Sequence, residues 1–79
     1  MERGVRSMRN YGHITLHLQE RMVERKLNRN QLAKAFDVRF EVVDRWCRGD
    51  VARLDADILA RVCYVLDCKV EDVITYEKD

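Results

Sequence analysis

Apolar residues recur along this chain in short bursts at helical spacing, and the bursts are separated by polar pairs rather than by proline, which the sequence lacks. The first burst is different. Residues 13–18, HITLHL, alternate polar and apolar, with Ile14, Leu16 and Leu18 on one side. That period predicts a short strand. From Leu18 or Gln19 the spacing turns helical: Leu18, Met22, Val23 and Lys26 fall on one side, and Gln19, Glu20, Glu24 and Arg25 on the other. This helix is expected to end near Lys26.

The run L-N-R-N-Q-L then carries start signals for a second helix. Asn28 is a strong N-cap, Gln31 stands three residues on as in a capping box, and Leu27 and Leu32 have hydrophobic-staple spacing. The predicted helix covers residues 29–36, with Leu32, Ala33 and Phe36 inward. Asp37 and Val38 form a turn; aspartate tolerates left-handed backbone better than most residues, and the valine is expected to plug the core. A third helix follows over residues 40–48. Val43, Trp46 and Cys47 share its inner side, Glu41, Arg45 and Arg48 its outer side, and Gly49 suits the position just past its end. After a loop at 50–54, Asp55 caps a fourth helix with Leu54 and Leu59 as staple and Ile58, Leu59, Val62, Cys63 and Leu66 as apolar stripe. A short fifth helix over 70–74 is expected to bury Val70, Val73 and Ile74. The tail TYEKD continues as an extended segment, and pairing it with residues 13–16 would supply the backbone partners that a lone strand lacks.

Size and composition narrow the possibilities. Seventy-nine residues, 47% hydrophobic and 37% charged, make one domain with one small core. No apolar run approaches the ~18 residues of a membrane span, and the basic N-terminus has no apolar stretch to make it a secretory signal. A cytoplasmic protein with no cofactor is expected. Cys47, Cys63 and Cys68 lack metal-ligand spacing and read as reduced, half-buried thiols. His13 and His17 lie four apart in the strand region with no third ligand near, so no metal site is expected. There is no nucleophile–base pair at interpretable spacing and no phosphate loop, and an enzyme is not expected. The net charge of +1 hides an asymmetry. Residues 1–34 hold eight Lys/Arg and three acids (+5), residues 35–53 hold four of each, and residues 54–79 hold three against seven (−4). A basic face for a polyanion can coexist with a near-neutral total. Arg3, Arg6 and Arg9 lie in an aperiodic segment, residues 1–12, read either as a flexible basic arm or as a solvated extension without a role; residues 13–79 form the domain.

The second helix, tight turn and third helix together have helix-turn-helix geometry. Ala33 is small where the helices must cross, Val38 fills the turn, and Val43 and Trp46 anchor the third helix. Its other face is left outward, at a size that fits the ~12 Å major groove. At this point "LNRNQLAKAFDVRFEVVDRWCRG" followed by "LDADILARVCYVLDCKVEDVITY" resembles the Cro/CI-type helix-turn-helix domain of phage repressors and small bacterial regulators, over about residues 14–76. The resemblance implies an all-α, five-helix, lambda-repressor-like domain, with the terminal ribbon as an option. It also implies a homodimeric transcriptional regulator, a repressor by preference, bound to double-stranded DNA. The alternative left open is a protein-interaction module on the same fold, an antitoxin-like or anti-repressor partner.

Carried onto this chain, the resemblance puts Asn28 and Arg29 at phosphates, Arg39, Phe40, Glu41, Val42 and Arg45 in the groove, and Arg48 and Arg53 beside it. Arg45 would pair with guanine O6/N7, worth about 1–3 kcal/mol of discrimination, Glu41 would accept from cytosine N4, and Phe40 or Val42 would touch a thymine methyl. Arg29, Arg48 and Arg53 would hold backbone without reading sequence. The chain departs from the family pattern at four places. Asp37 stands where glycine is usual, Arg39 where a Ser or Thr caps, Asp50 where a basic residue follows the glycine, and Glu41 and Asp44 add acid to the outer face. Affinity is therefore expected to be modest and strongly salt-dependent.

Overall fold

A computed structural model describes residues 8–78 of the chain. Arg3 and Arg6 of the basic arm lie outside the described residues; Arg9 is exposed. The elements run β1 (His13–Leu16), α1 (Leu18–Glu24), α2 (Arg29–Phe36), α3 (Phe40–Arg48), α4 (Ala56–Leu66), α5 (Val70–Val73) and β2 (Ile74–Glu77). The five helices and their order match the expectation from periodicity. The terminal ribbon is present too: β1 and β2 pair antiparallel, with His13 opposite Glu77 and Leu16 opposite Ile74. The ribbon continues directly into α1, where His17 N–H donates to the Val73 carbonyl at 2.6 Å. Gly12 turns into it with φ +84°, and a side chain there would run into the Glu77 carbonyl.

One core joins the helices: Leu18 and Met22 of α1, Leu32, Ala33 and Phe36 of α2, Val43 and Trp46 of α3, Val62 and Leu66 of α4, and Val73 of α5. These are the inward residues that helical spacing selects, except at Val23, Lys26 and Val70; Lys26 is exposed in the left-handed turn that closes α1. Val23 is 61% exposed, because the seven-residue α1 offers only the Leu18–Met22 stripe to the core and Val23 lies about 100° round from Met22. Val70 is 48% exposed, because α5 is a single turn and Val73 alone fills its inward side. Ile74 is half-buried as the first residue of β2 rather than the last of α5.

Helices α1 to α4 all end in the same way. The left-handed residue, first past the end of α2, α3 and α4 and second past α1, bonds back three positions and the next bonds back five: Lys26 to Val23 and Leu27 to Met22, Asp37 to Lys34 and Val38 to Ala33, Gly49 to Trp46 and Asp50 to Arg45, Asp67 to Tyr64 and Cys68 to Cys63. This is the Schellman arrangement, which satisfies carbonyls that the helix itself leaves open. It requires left-handed backbone, found here at Lys26, Asp37, Gly49 and Asp67. In three of the four, the residue after the left-handed one is Leu27, Val38 or Cys68, and each packs on the core. The apolar residue in each turn is thus the inner part of the cap.

Candidate nucleic-acid interface

The α2–turn–α3 unit presents the expected geometry. Asn28 accepts from the Gln31 amide, and the Gln31 side chain accepts from the Asn28 amide, both at 2.8 Å. This reciprocal capping box fixes the start of α2, and it occupies the Asn28 side-chain oxygen. Ala33 lets α2 lie against α3, and Val43 and Trp46 pin α3 to the core. Asp37 stands left-handed in the turn at φ 58°, where the family pattern favours glycine. Arg61, from α4, donates to the carbonyls of Phe36 and Asp37 at 2.9 and 3.0 Å, a second hold on the end of α2. No side chain caps α3: Arg39 occupies the position without a capping bond.

The arginines sort by what their guanidinium groups touch. Arg21, Arg25 and Arg61 donate to main-chain carbonyls at the ends of α5, α4 and α2 respectively, so they complete the scaffold. Arg29 and Arg48 converge on one carboxylate. Arg29 Nη1 bonds Asp44 Oδ1, and Arg48 Nε donates to Asp44 Oδ2 at 3.1 Å. Arg29 also reaches Gln19 Oε1 of α1 at 3.4 Å. Arg39, Arg45 and Arg53 are exposed and make no ion pair among the described residues.

The outer face of α3 therefore differs from its sequence reading at two positions, Asp44 and Val42, the latter expected in the groove but packed partly against the core. Glu41 and Arg45, at i and i+4, have the spacing of a helical ion pair. They form no salt bridge, and both stay exposed beside Phe40, itself 44% exposed. Asp44, expected among the acids of that face, is half-buried between Arg29 and Arg48 instead. Val42 is half-buried and lines, with Arg45, Val51 and Arg53, a cleft of about 350 Å³ between the end of α3 and the loop before α4. Arg45 and Arg53 thus border the same cleft, together with Asp50 and Asp55.

Sequence reasoning missed Asp44 as a partner of Arg29. Its i,i+4 spacing to Arg48 was visible, but Arg29 is fifteen residues away and meets it only through the α2–α3 crossing. Cys47, next to this cluster, has its thiol pushed above the ordinary value of 9.0, chiefly by burial and against the pull of Arg29. His17 is spent on structure as well. Its ring nitrogens contact Glu20 Oε1 at 2.6 Å and Thr75 Oγ1 at 2.8 Å, and no metal-ligating cluster occurs among the described residues.

The comparisons with known proteins agree with this architecture. The model of the Cro/C1-type helix-turn-helix DNA-binding domain matches residues 17–79, and the chain belongs to that family. Its class is therefore a DNA-binding regulatory domain, with double-stranded DNA as its partner. A crystal structure of an inferred DNA-binding protein from Bacteroides fragilis is similar in fold, with a TM-score of 0.71 at 17% identity, over 80% of this chain and 100% of that one. No curated protein matches. No helix among the described residues is long and apolar enough to cross a membrane.

Proposed function

We propose that the chain is a sequence-specific transcriptional regulator, a repressor by occlusion, that inserts α3 into the major groove as one half of a homodimer. The observation that carries this reading is the outer face of α3. Phe40, Glu41 and Arg45 are exposed and unpaired while the opposite face of the same helix is locked by Val43 and Trp46. A charged pair at i,i+4 that does not close on itself keeps its donors and acceptors for base edges. Arg45 reads guanine, Glu41 reads cytosine, and Phe40 and Val42 supply apolar contact. Arg39 and Arg53 hold phosphates on either side, with Asn28, Arg29 and Arg48 at the rim. The exposed Ile14–Tyr76 pair of the ribbon favours a second copy on that side.

Selection of bound genomic fragments tests the reading. A paired motif is expected, with half-site centres about 10–10.5 base pairs or a multiple apart. On the selected site Arg45→Ala should weaken binding about 5- to 150-fold, corresponding to ~1–3 kcal/mol, while barely changing affinity for random duplex. Equal losses on both would remove Arg45 from base reading.

A further inference from the structure

The geometry points to Asp44 as a specificity-determining residue that withholds Arg29 and Arg48 from non-specific phosphate binding. The inference rests on the DNA-facing reading of α3. Both guanidinium groups flank the face that carries Arg45, and both are engaged with the same carboxylate, Arg29 on one oxygen and Arg48 on the other. Asp44 and Arg29 are 27% and 32% exposed in their side chains, so their pair is partly sheltered from water and salt, while Arg48, 54% exposed, is held through Nε alone. Gln19 of α1 adds a further contact to Arg29, which is thereby held by the helices on either side of α2 in the chain. Arg39, Arg45 and Arg53 have no such carboxylate among the described residues.

The consequence follows from how duplex DNA is bound without sequence recognition. Non-specific affinity scales with the number of cations that can reach phosphates in any register, and each contributes about 0.9 to the slope of log K against log salt. A carboxylate shared by two arginines cancels one of their two charges, holds Arg29 in direction and biases the more exposed Arg48 toward the cluster. Only a duplex seated in one register offers phosphates where those forks already point, so their contribution is confined to the aligned complex. Without the carboxylate, two guanidinium groups would face each other, repel, and turn outward to any phosphate within reach. The acid that looked like a flaw in a DNA-binding face acts as a filter against non-specific sites.

Asp44→Asn tests this, because the amide keeps shape and loses charge. Binding of a random duplex and of a selected site is followed across 50–200 mM salt by fluorescence anisotropy. The expected result on random DNA is a slope steeper by about 0.9–1.8, one or two added phosphate contacts, so that affinity falls roughly 3.5- to twelvefold more over that range than for the wild type. The ratio of selected to random affinity should drop threefold or more, and Asp44→Glu should restore it in part. An unchanged slope overturns the inference while leaving the DNA-binding reading intact; a wild-type protein that binds no duplex at 50 mM salt overturns both. Arginine Nε–H signals in the wild type provide a test that needs no variant. On adding random duplex, those of Arg39, Arg45 and Arg53 should move and those of Arg29 and Arg48 stay. Equal movement of all five would overturn the role of Asp44.

Discussion

Cys47 and Cys68 show how much a single side chain's setting departs from its composition. Both thiols are half-buried against the core, and burial raises both above the ordinary value of 9.0; for Cys68 the neighbouring Cys63 and Asp72 add to the effect. For an acid with a raised folded-state pKa, the neutral form is favoured by folding. The stability is complete below pH 9 and is lost as pH rises through the folded-state value. Urea denaturation midpoints from pH 7 to 10.5 should therefore fall on the alkaline side, and the fall should be smaller in Cys47→Ala than in the wild type. The thiols were legible in the sequence as apolar, half-buried groups. Their surroundings were not, because Arg29 and Asp44 reach Cys47 only after α2 has crossed α3. The same holds for Asp44 itself: its sign and exposure pattern on a helical wheel place it with Glu41, and a contact fifteen residues away places it elsewhere.

At the scale of elements, the helix ends explain why so short a chain holds five helices without proline. Each of α1 to α4 is closed by a left-handed residue, and in three cases that residue is not glycine. The left-handed conformation costs a non-glycine residue about 1–2 kcal/mol, less for aspartate, and glycine gives back part of the difference through its greater freedom when unfolded. Asp37→Gly should thus stabilise the domain by roughly 0.5 kcal/mol. Gly49→Ala should destabilise it by about 1 kcal/mol through backbone strain alone, since a methyl group there meets nothing within 4 Å. Thermal denaturation of the two variants checks both signs. The caps were readable in advance at Asn28, Asp55 and Gly49, where residue type and position agree. The errors fell on the shortest elements. One turn at α5 and seven residues at α1 contain too few positions for periodicity to separate Val70 and Val23 from the core.

At the scale of the molecule, the parts form a gradient of commitment. The core and the carbonyl-bound arginines serve folding, the Asp44 cluster joins helices at the edge of the outer face of α3, and Phe40, Glu41, Arg45 and Arg53 remain exposed. Hydrophobic period and capping chemistry were enough to read the scaffold from sequence, because both are local. The face was harder, because which charges stay available depends on which helices meet. The most direct test of the central claim is a ¹⁵N–¹H correlation titration of the protein with a random-sequence duplex at about 50 mM salt, where phosphate contacts are strongest. The account predicts shifts concentrated at the amides of residues 39–47 and 53, with the ribbon and α5 unmoved. Shifts centred on residues 11–16 and 74–77, or none at all, would contradict it.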